Sequence, residues 1–193
     1  MLVATFTLVG ISPYSQSRPI QSTRDPNESH DEYDKRCWQE HCHVDADGQV
    51  FIPPAAIKQC ISDTAQYLSI KIPGKRNATY SKHFKSGIIV DPEPMKVGMH
   101  IDDMEVERLY LNADGKRGSG TRVWRHMPKI NNWLIQVKVF IPDIEIGEKI
   151  FEKILIAAGQ FTGLGRYRPQ NGGWYGRFII KDLVFSKQEL IAA

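Results

Sequence analysis

Two amphipathic helical patterns, set far apart and each flanked by strand-like sequence, constrain the fold of this chain most strongly. The first follows Pro53 and Pro54, which fit a helix start because N–H groups there have no helical partner. Its apolar residues recur at intervals of three and four, so that one face of a helix can cover a sheet. They are Ile57, Cys60, Ile61, Thr64 and Leu68.

The second helical pattern lies within residues 147–158. Gly159 follows it and is expected to supply a left-handed cap. The apolar stripe consists of Ile150, Phe151, Ile154, Leu155 and Ala158.

Strand-like segments lie before, between and after these two helices. The resulting order of strand, helix, two or more strands, helix and strand predicts an α+β fold, a ferredoxin-like sandwich with a large central insertion. Such a sheet leaves one face open, and an open sheet face is a common platform for RNA. The predicted strands cover residues 2–11, 87–90, 105–111, 121–124, 133–141, 174–180 and 183–185.

Length and composition indicate one domain over residues 1–193. With 41% hydrophobic and 24% charged residues, neither a disordered chain nor a membrane protein is expected. The beginning of the chain has no basic segment of a signal peptide, and three cysteines are too few for a disulfide framework, so a cytoplasmic protein is predicted. Residues 12–32 have the composition of an exposed loop or insertion.

Charge is distributed unevenly although the formal net charge is only +3. From Asp25 to Asp47 there are eight acids and two bases, whereas residues 116–129 and 163–181 contain several Lys and Arg and no acid. This separation favours a basic surface for a polyanion more than the net charge alone does.

The glycine-rich segment within residues 159–178 is the most specific element of the sequence. Glycine permits positive φ angles and a close approach of the backbone to phosphate. Arginines alternate there with rings that can stack on unpaired bases. The alternative is a glycine-rich hairpin whose aromatic residues fill the core. The alternating residues are Arg166, Tyr167, Arg168, Trp174, Tyr175 and Arg177.

Two further basic patches favour nucleic-acid binding, because Lys and Arg release counterions from phosphates. Either patch alone is more often a solvated surface. The first contains Lys75, Arg76, Lys82, His83 and Lys85, and the second contains Lys116, Arg117, Arg122, Arg125 and Lys129 around Trp124.

Three motifs resemble the repeat-associated mysterious protein (RAMP) superfamily, to which CRISPR backbone subunits belong. The glycine-rich segment is similar to the C-terminal glycine-rich loop of that superfamily. Residues 48–58, Gly-Gln-Val-Phe-Ile-Pro-Pro-Ala-Ala-Ile-Lys, look like its junction between a strand and the first helix. Residues 10–13, Gly-Ile-Ser-Pro, are similar to the segment after its first strand.

The resemblance implies a modified RNA-recognition fold that binds RNA or an RNA–DNA hybrid, with repeated subunits in a filament or ring. It places Lys58 near a helix start, where backbone N–H groups attract phosphate. On this resemblance, residues 105–125 are the candidate for a thumb-like hairpin. The chain is short for a CRISPR backbone subunit, so a stand-alone phage or prophage relative fits equally well.

Metal and catalytic chemistry receive less support from the sequence. Cys37, His41, Cys42 and His43 are ligand types for zinc, but their spacing does not form the usual pairs. No metal, cofactor or catalytic residue is therefore predicted.

Several other residues have two possible interpretations. Asp45 and Asp47 could bind a cation or take part in RNA cleavage, although Asp-Ala-Asp-Gly is typical of a turn. His30, His83 and His126 are each candidates for the general base of a metal-independent ribonuclease, and no local sequence selects one of them.

The leading hypothesis is a non-catalytic subunit that oligomerises along RNA or single-stranded DNA, alone or with CRISPR-like or phage subunits, and not at a membrane. The enzyme alternative is a RAMP-type endoribonuclease. The structural alternative is a phage assembly or decoy protein that uses the fold for protein contacts.

Overall fold

A four-stranded antiparallel sheet forms the centre of the fold in the computed structural model, which describes residues 1–112 and 120–188. Its strands follow the order β3-β7-β1-β8. The described strands are β1 Leu2–Gly10, β2 Gln49–Ile52, β3 Ile89–Val90, β4 Met95–His100, β5 Glu105–Asn112, β6 Arg122–Lys129, β7 Leu134–Ile141 and β8 Phe178–Lys187. The described α-helices are α1 His30–Cys37, α2 Pro54–Leu68, α3 Ser81–Ser86 and α4 Glu148–Ala157.

The two faces of the central sheet differ because side chains alternate along each strand. Phe6 lies opposite Val137 in the pairing of β1 with β7, and both side chains are buried. Thr5 lies opposite Lys138 in the same pairing, and both are exposed. Helices α2 and α4 cover the buried face, and the other face stays open.

The chain order within this core is strand, helix, strand, strand, helix, strand, formed by β1, α2, β3, β7, α4 and β8. The predicted α+β, ferredoxin-like fold is therefore confirmed. Residues between β1 and α2, and between β3 and β7, form insertions. They contain two small antiparallel sheets, one of β2 and β4 and one of β5 and β6.

Strands β5 and β6 form the predicted hairpin, with Glu105 opposite Lys129 and Asn112 opposite Arg122. Its second strand extends beyond the predicted end. Lys116 and Arg117 lie outside the described residues, so their place on the hairpin remains a prediction.

The expectation of an exposed loop over residues 12–32 is wrong at the beginning of that segment. Ser12 and residues 14–16 are buried. The Tyr14 ring packs against Trp133 with centroids 5.6 Å apart. The Gln16 side chain donates to the carbonyl of Phe51 at 2.8 Å and accepts from the N–H of His43. Residues after this anchor are mostly exposed until α1, which Ser29 caps through a capping box with Glu32.

The predicted cap at Gly159 is also wrong. Helix α4 continues into a π-helix, Ala158–Thr162, and Gly163 ends it with a φ of 70°. Gly159 is needed for another reason, because a Cβ atom there would lie 2.1 Å from the carbonyl oxygen of Phe178. Glycine thus allows the π-helix to contact β8.

Within residues 1–112 and 120–188, no helix is both long enough and apolar enough to cross a membrane.

Candidate nucleic-acid interface

The glycine-rich loop packs closely on its own backbone and on the segment that follows β1. The N–H of Gly176 donates to the carbonyl of Pro13 at 2.7 Å, and the N–H of Arg166 donates to that of Ser15 at 2.9 Å. Gly176 has a φ of 66°, and a Cβ atom there would lie 1.8 Å from the carbonyl oxygen of Leu164. In this loop the glycines allow the backbone to pack closely against other backbone of the same chain. This packing fixes the side chains between the glycines.

One side of this loop forms a ring cluster at the base of the β5–β6 hairpin. The Tyr175 ring is buried, lies 5.9 Å from the Tyr167 ring, and donates its hydroxyl to Glu107 at 2.5 Å. Burial, together with the neighbouring Glu107 carboxylate, raises the pKa of Tyr175. Trp174 packs edge-on to Tyr175 and remains 58% exposed. The guanidinium of Arg166 lies 5.0 Å from the centroid of the Tyr167 ring.

The aromatic residues of the loop therefore divide between two roles. Tyr175 and Phe178 are buried, as the core-filling alternative expects. Trp174 is available to a ligand, and Arg166 is partly exposed beside Tyr167.

The other two arginines connect the loop to the helix layer. Arg168 lies 3.5 Å from the carboxylate of Asp63 on α2, with 22% of its side chain exposed. Arg177 donates to the carbonyl of Gln160 in the π-helix at 2.6 Å. Arg168 therefore joins the loop to α2 through an ion pair, and Arg177 joins it to the π-helix.

A cleft between α2 and α3 lies on the same side of α2 as Asp63. Lys82 and Lys85 stand exposed at its edge, without a carboxylate partner among the described residues. Lys58 also lines the cleft, but its ammonium donates to the carbonyls of Phe84 and Ile88 at 2.9 and 2.8 Å. Burial lowers the pKa of Lys58. The remaining lining residues are Gln59, Ser62, Asp63, Gln66 and Ser81.

Two arginines of the hairpin pair with acids of the acidic segment. Arg125 lies 3.3 Å from Asp34, and Arg108 lies 2.8 Å from Asp31, both acids being on α1. The acidic and basic segments are separate in the sequence, but they partly neutralise each other in the folded chain.

The remaining predicted residues lie elsewhere. Lys75 pairs with Glu145 at 2.6 Å. Arg76 and Arg122 are exposed and have no ion-pair partner in the part of the chain that the structure describes.

The predicted binding residues therefore form two groups around one loop. Lys58, Lys82 and Lys85 line the cleft. Arg168 is connected to the cleft by its ion pair with Asp63, which also lines it. Arg166 and Tyr167 lie beside the ring cluster on the hairpin side. Sequence reasoning could not join the cleft to the loop, because the two segments are far apart along the chain.

Two exposed aromatic residues were missed by the sequence interpretation. Tyr67 on α2 contacts Phe161 in the π-helix, with ring centroids 6.2 Å apart. Only a weak sequence signal indicated this aromatic pair, because Phe161 falls after the predicted end of the second helix.

The geometry around the candidate zinc ligands does not favour a metal. Among the described residues, no three His, Cys, Asp or Glu side chains come together as metal ligands. Cys42 is buried, which raises the pKa of its thiol to about 12 and disfavours the thiolate. Asp45 accepts from the N–H groups of Asp47 and Gln49, as expected of the turn.

The three candidate general bases lie on different elements. His30 begins α1, and His83 on α3 pairs with Asp143 at 2.7 Å. His126 on β6 is buried, with its Nδ1 atom 3.7 Å from Asp31. His126 thus lies near the start of α1, where His30 is located, whereas His83 lies on a separate helix.

Comparison with known proteins identifies a fold relative. Neither a protein family nor a curated protein matches the sequence. A chain in the cryo-EM structure of the Type III-B Cmr-beta bound to cognate target RNA is similar, with a TM-score of 0.53 and 12% identity. The similarity covers 95% of the present chain and 61% of that chain. At this identity it shows the fold, which is consistent with the RAMP-like fold that the sequence motifs predicted.

Proposed function

We propose that this chain is a RAMP-type subunit that binds single-stranded RNA without cutting it, along the cleft of α2 and α3 and the glycine-rich loop. One observation carries the proposal. The lysine-lined cleft and the arginine-bearing loop meet on the same side of α2, at Asp63. The fold relative supports it, because that chain belongs to a complex bound to target RNA.

The charges of this surface suit a polyanion. Lys82 and Lys85 are exposed, and the Asp63 carboxylate faces Arg168. Exposed lysines supply affinity that does not depend on the nucleotide sequence. The exposed Trp174 ring of the loop can stack on an unpaired base. Single strands expose base faces and duplexes do not, so the proposal favours a single strand.

The proposal extends to assembly. The β5–β6 hairpin and the cleft are unlike surfaces, and repeated contact between unlike surfaces produces a filament or ring. Copies of this chain, or other subunits of a CRISPR-like or phage complex in the cytoplasm, would then follow one strand.

Exchange of two exposed lysines tests the binding surface. Lys82→Gln with Lys85→Gln should weaken binding to a single-stranded RNA about 10-fold and lower the steepness of its salt dependence. Fluorescence anisotropy over a series of salt concentrations measures both quantities. The matched control is Lys149→Gln with Lys153→Gln, which removes the same charge from the exposed side of α4.

Equal weakening in the two double variants would show a diffuse charge effect and contradict a site at the cleft. The same samples, separated on a denaturing gel, should contain intact RNA. Shortened products that disappear with His83→Ala or His126→Ala would instead favour the endoribonuclease alternative.

A further inference from the structure

We infer that Tyr67 and Phe161 form a stacking site for an unpaired nucleobase, next to the glycine-rich loop. The inference rests on the proposed function and adds to it a base contact on the helix layer of the fold. Neither residue belongs to the basic patches predicted from the sequence.

The two rings form a contacting pair in solvent. Tyr67 is 71% exposed and Phe161 is 51% exposed. Their planes are inclined by 38°. Single exposed apolar side chains are ordinary on protein surfaces, but two aromatic rings from different elements that meet in solvent present a larger flat apolar surface. The outer faces of such rings are suited to stacking on a base.

The π-helix holds Phe161 in this outward position. Ala158, Gly159 and Thr162 are buried, while Gln160 and Phe161 are exposed. The hydroxyl of Thr162 forms a buried hydrogen bond of 2.6 Å with that of Thr64 on α2. Because π-helical turns are rare and, where present, are frequently at functional sites, this local departure from the α-helix is itself informative.

Tyr67 lies one turn of α2 beyond Thr64, so the same hydrogen bond holds the two segments that carry the rings next to each other. The rings are therefore adjacent before a base arrives, which reduces the rearrangement that stacking requires.

Positive charge beside the rings favours a nucleotide over an apolar protein segment. Arg177 donates to the carbonyl of Gln160, the residue directly before Phe161. Arg168 faces Asp63, one helical turn before Tyr67. A guanidinium near a ring can contact the phosphate of a nucleotide whose base stacks on that ring, and Arg177 is held next to the residue before Phe161.

The open face of the central sheet offers a useful contrast. Its exposed apolar side chains include Leu134, Ile179 and Val184, which are aliphatic. The Phe140 ring at this face is covered by the ammonium of Lys138, 4.8 Å from the ring centroid. The sheet face that the sequence suggested as an RNA platform therefore provides poorer stacking than the helix layer does.

Abasic nucleotides separate stacking from charge. The probes are a single-stranded RNA of fixed length and the same strand with abasic sites, so that phosphates are retained and bases are lost. Tyr67→Ala with Phe161→Ala should weaken binding to the ordinary strand about 10-fold and leave binding to the abasic strand unchanged. Tyr67→Phe should stay within about 2-fold of the native protein, since the ring is retained.

Two controls keep the test specific. Ile144→Ala removes an exposed apolar side chain from a different surface, beside Leu2 and Ile141, and should not alter binding. Tyr67→Ala alone is included because its exposed side chain can be removed without disturbing the core, and it should lose part of the affinity.

Each result decides between explanations. Native binding to RNA with no loss in the alanine variants overturns the stacking site and leaves the proposed function intact. Equal losses for ordinary and abasic strands also overturn it. Absence of RNA binding by the native protein overturns both proposals. A smaller mass of the alanine variants by light scattering without RNA would assign the rings to a protein contact.

Discussion

Gly176 shows how single residues shape the candidate interface. Its positive φ and its contact with the Leu164 carbonyl both exclude a side chain. Gly176→Ala should therefore lower the free energy of unfolding by about 3 kcal/mol or more. Denaturant unfolding followed by circular dichroism measures the change.

Gly74→Ala is the matched control for this prediction. Gly74 also has a positive φ, of 76°, but nothing lies within 4 Å of the position that a Cβ atom would take. Backbone conformation alone should cost about 1 kcal/mol there. Equal losses at the two sites would show that the close packing of the loop does not contribute to stability.

The sequence analysis selected basic and aromatic residues as candidates for binding, but it could not identify the partners that these residues have in the fold. Lys58 was expected to meet phosphate, yet its ammonium holds two carbonyls between α3 and β3. Arg168 was expected to contact a nucleic acid, yet it faces Asp63. Such pairs join segments distant in sequence, and periodicity within one segment carries no information about them.

At the scale of elements, strong patterns were sufficient for the main helices and strands. The stripe on α2 and the alternation along β7 each predicted an element close to the observed one. Helix α1 was missed because its composition is polar and its buried residues are only Asp34 and Cys37. The π-helix was missed because Gly159 was interpreted as a helix end.

The attachment of the β5–β6 hairpin depends on α1, and Asp34 is its central contact. This carboxylate is buried, accepts from the N–H of His126 and lies 3.3 Å from Arg125. Burial opposes its charged form, but the neighbouring His41, the N–H of His126 and the charge of Arg125 more than offset this effect. The pKa of Asp34 is therefore lowered.

Asp34→Asn should loosen the hairpin at neutral pH by about 3 kcal/mol, since it leaves Arg125 without its partner. Hydrogen exchange over β6 should become faster while exchange over β1 stays unchanged. Because the folded pKa lies below the unfolded one, the native contribution is complete above about pH 4 and is lost as the pH falls through the folded value. The variant should lack this acid dependence.

Asp25→Asn removes an exposed acid from the same segment and serves as the control. Unchanged exchange over β6 in Asp34→Asn would show that apolar packing, and not the buried carboxylate, attaches the hairpin.

The whole molecule combines a ferredoxin-like core with insertions that create its candidate binding surfaces. The fold class could be predicted because only a few arrangements satisfy the order of elements. The position of the interface could not, because it depends on which side of α2 the glycine-rich loop contacts. Net charge was equally uninformative, since α1 neutralises Arg108 and Arg125 of the hairpin.

Direct binding of matched strands tests the central claim, that this surface holds single-stranded RNA. Fluorescence anisotropy should be recorded for one RNA as a single strand and as a duplex, at low and at physiological salt. The account predicts tighter binding of the single strand at both salt concentrations and an affinity that falls steeply as salt rises. Equal affinity for strand and duplex, or no binding of either at low salt, would contradict it.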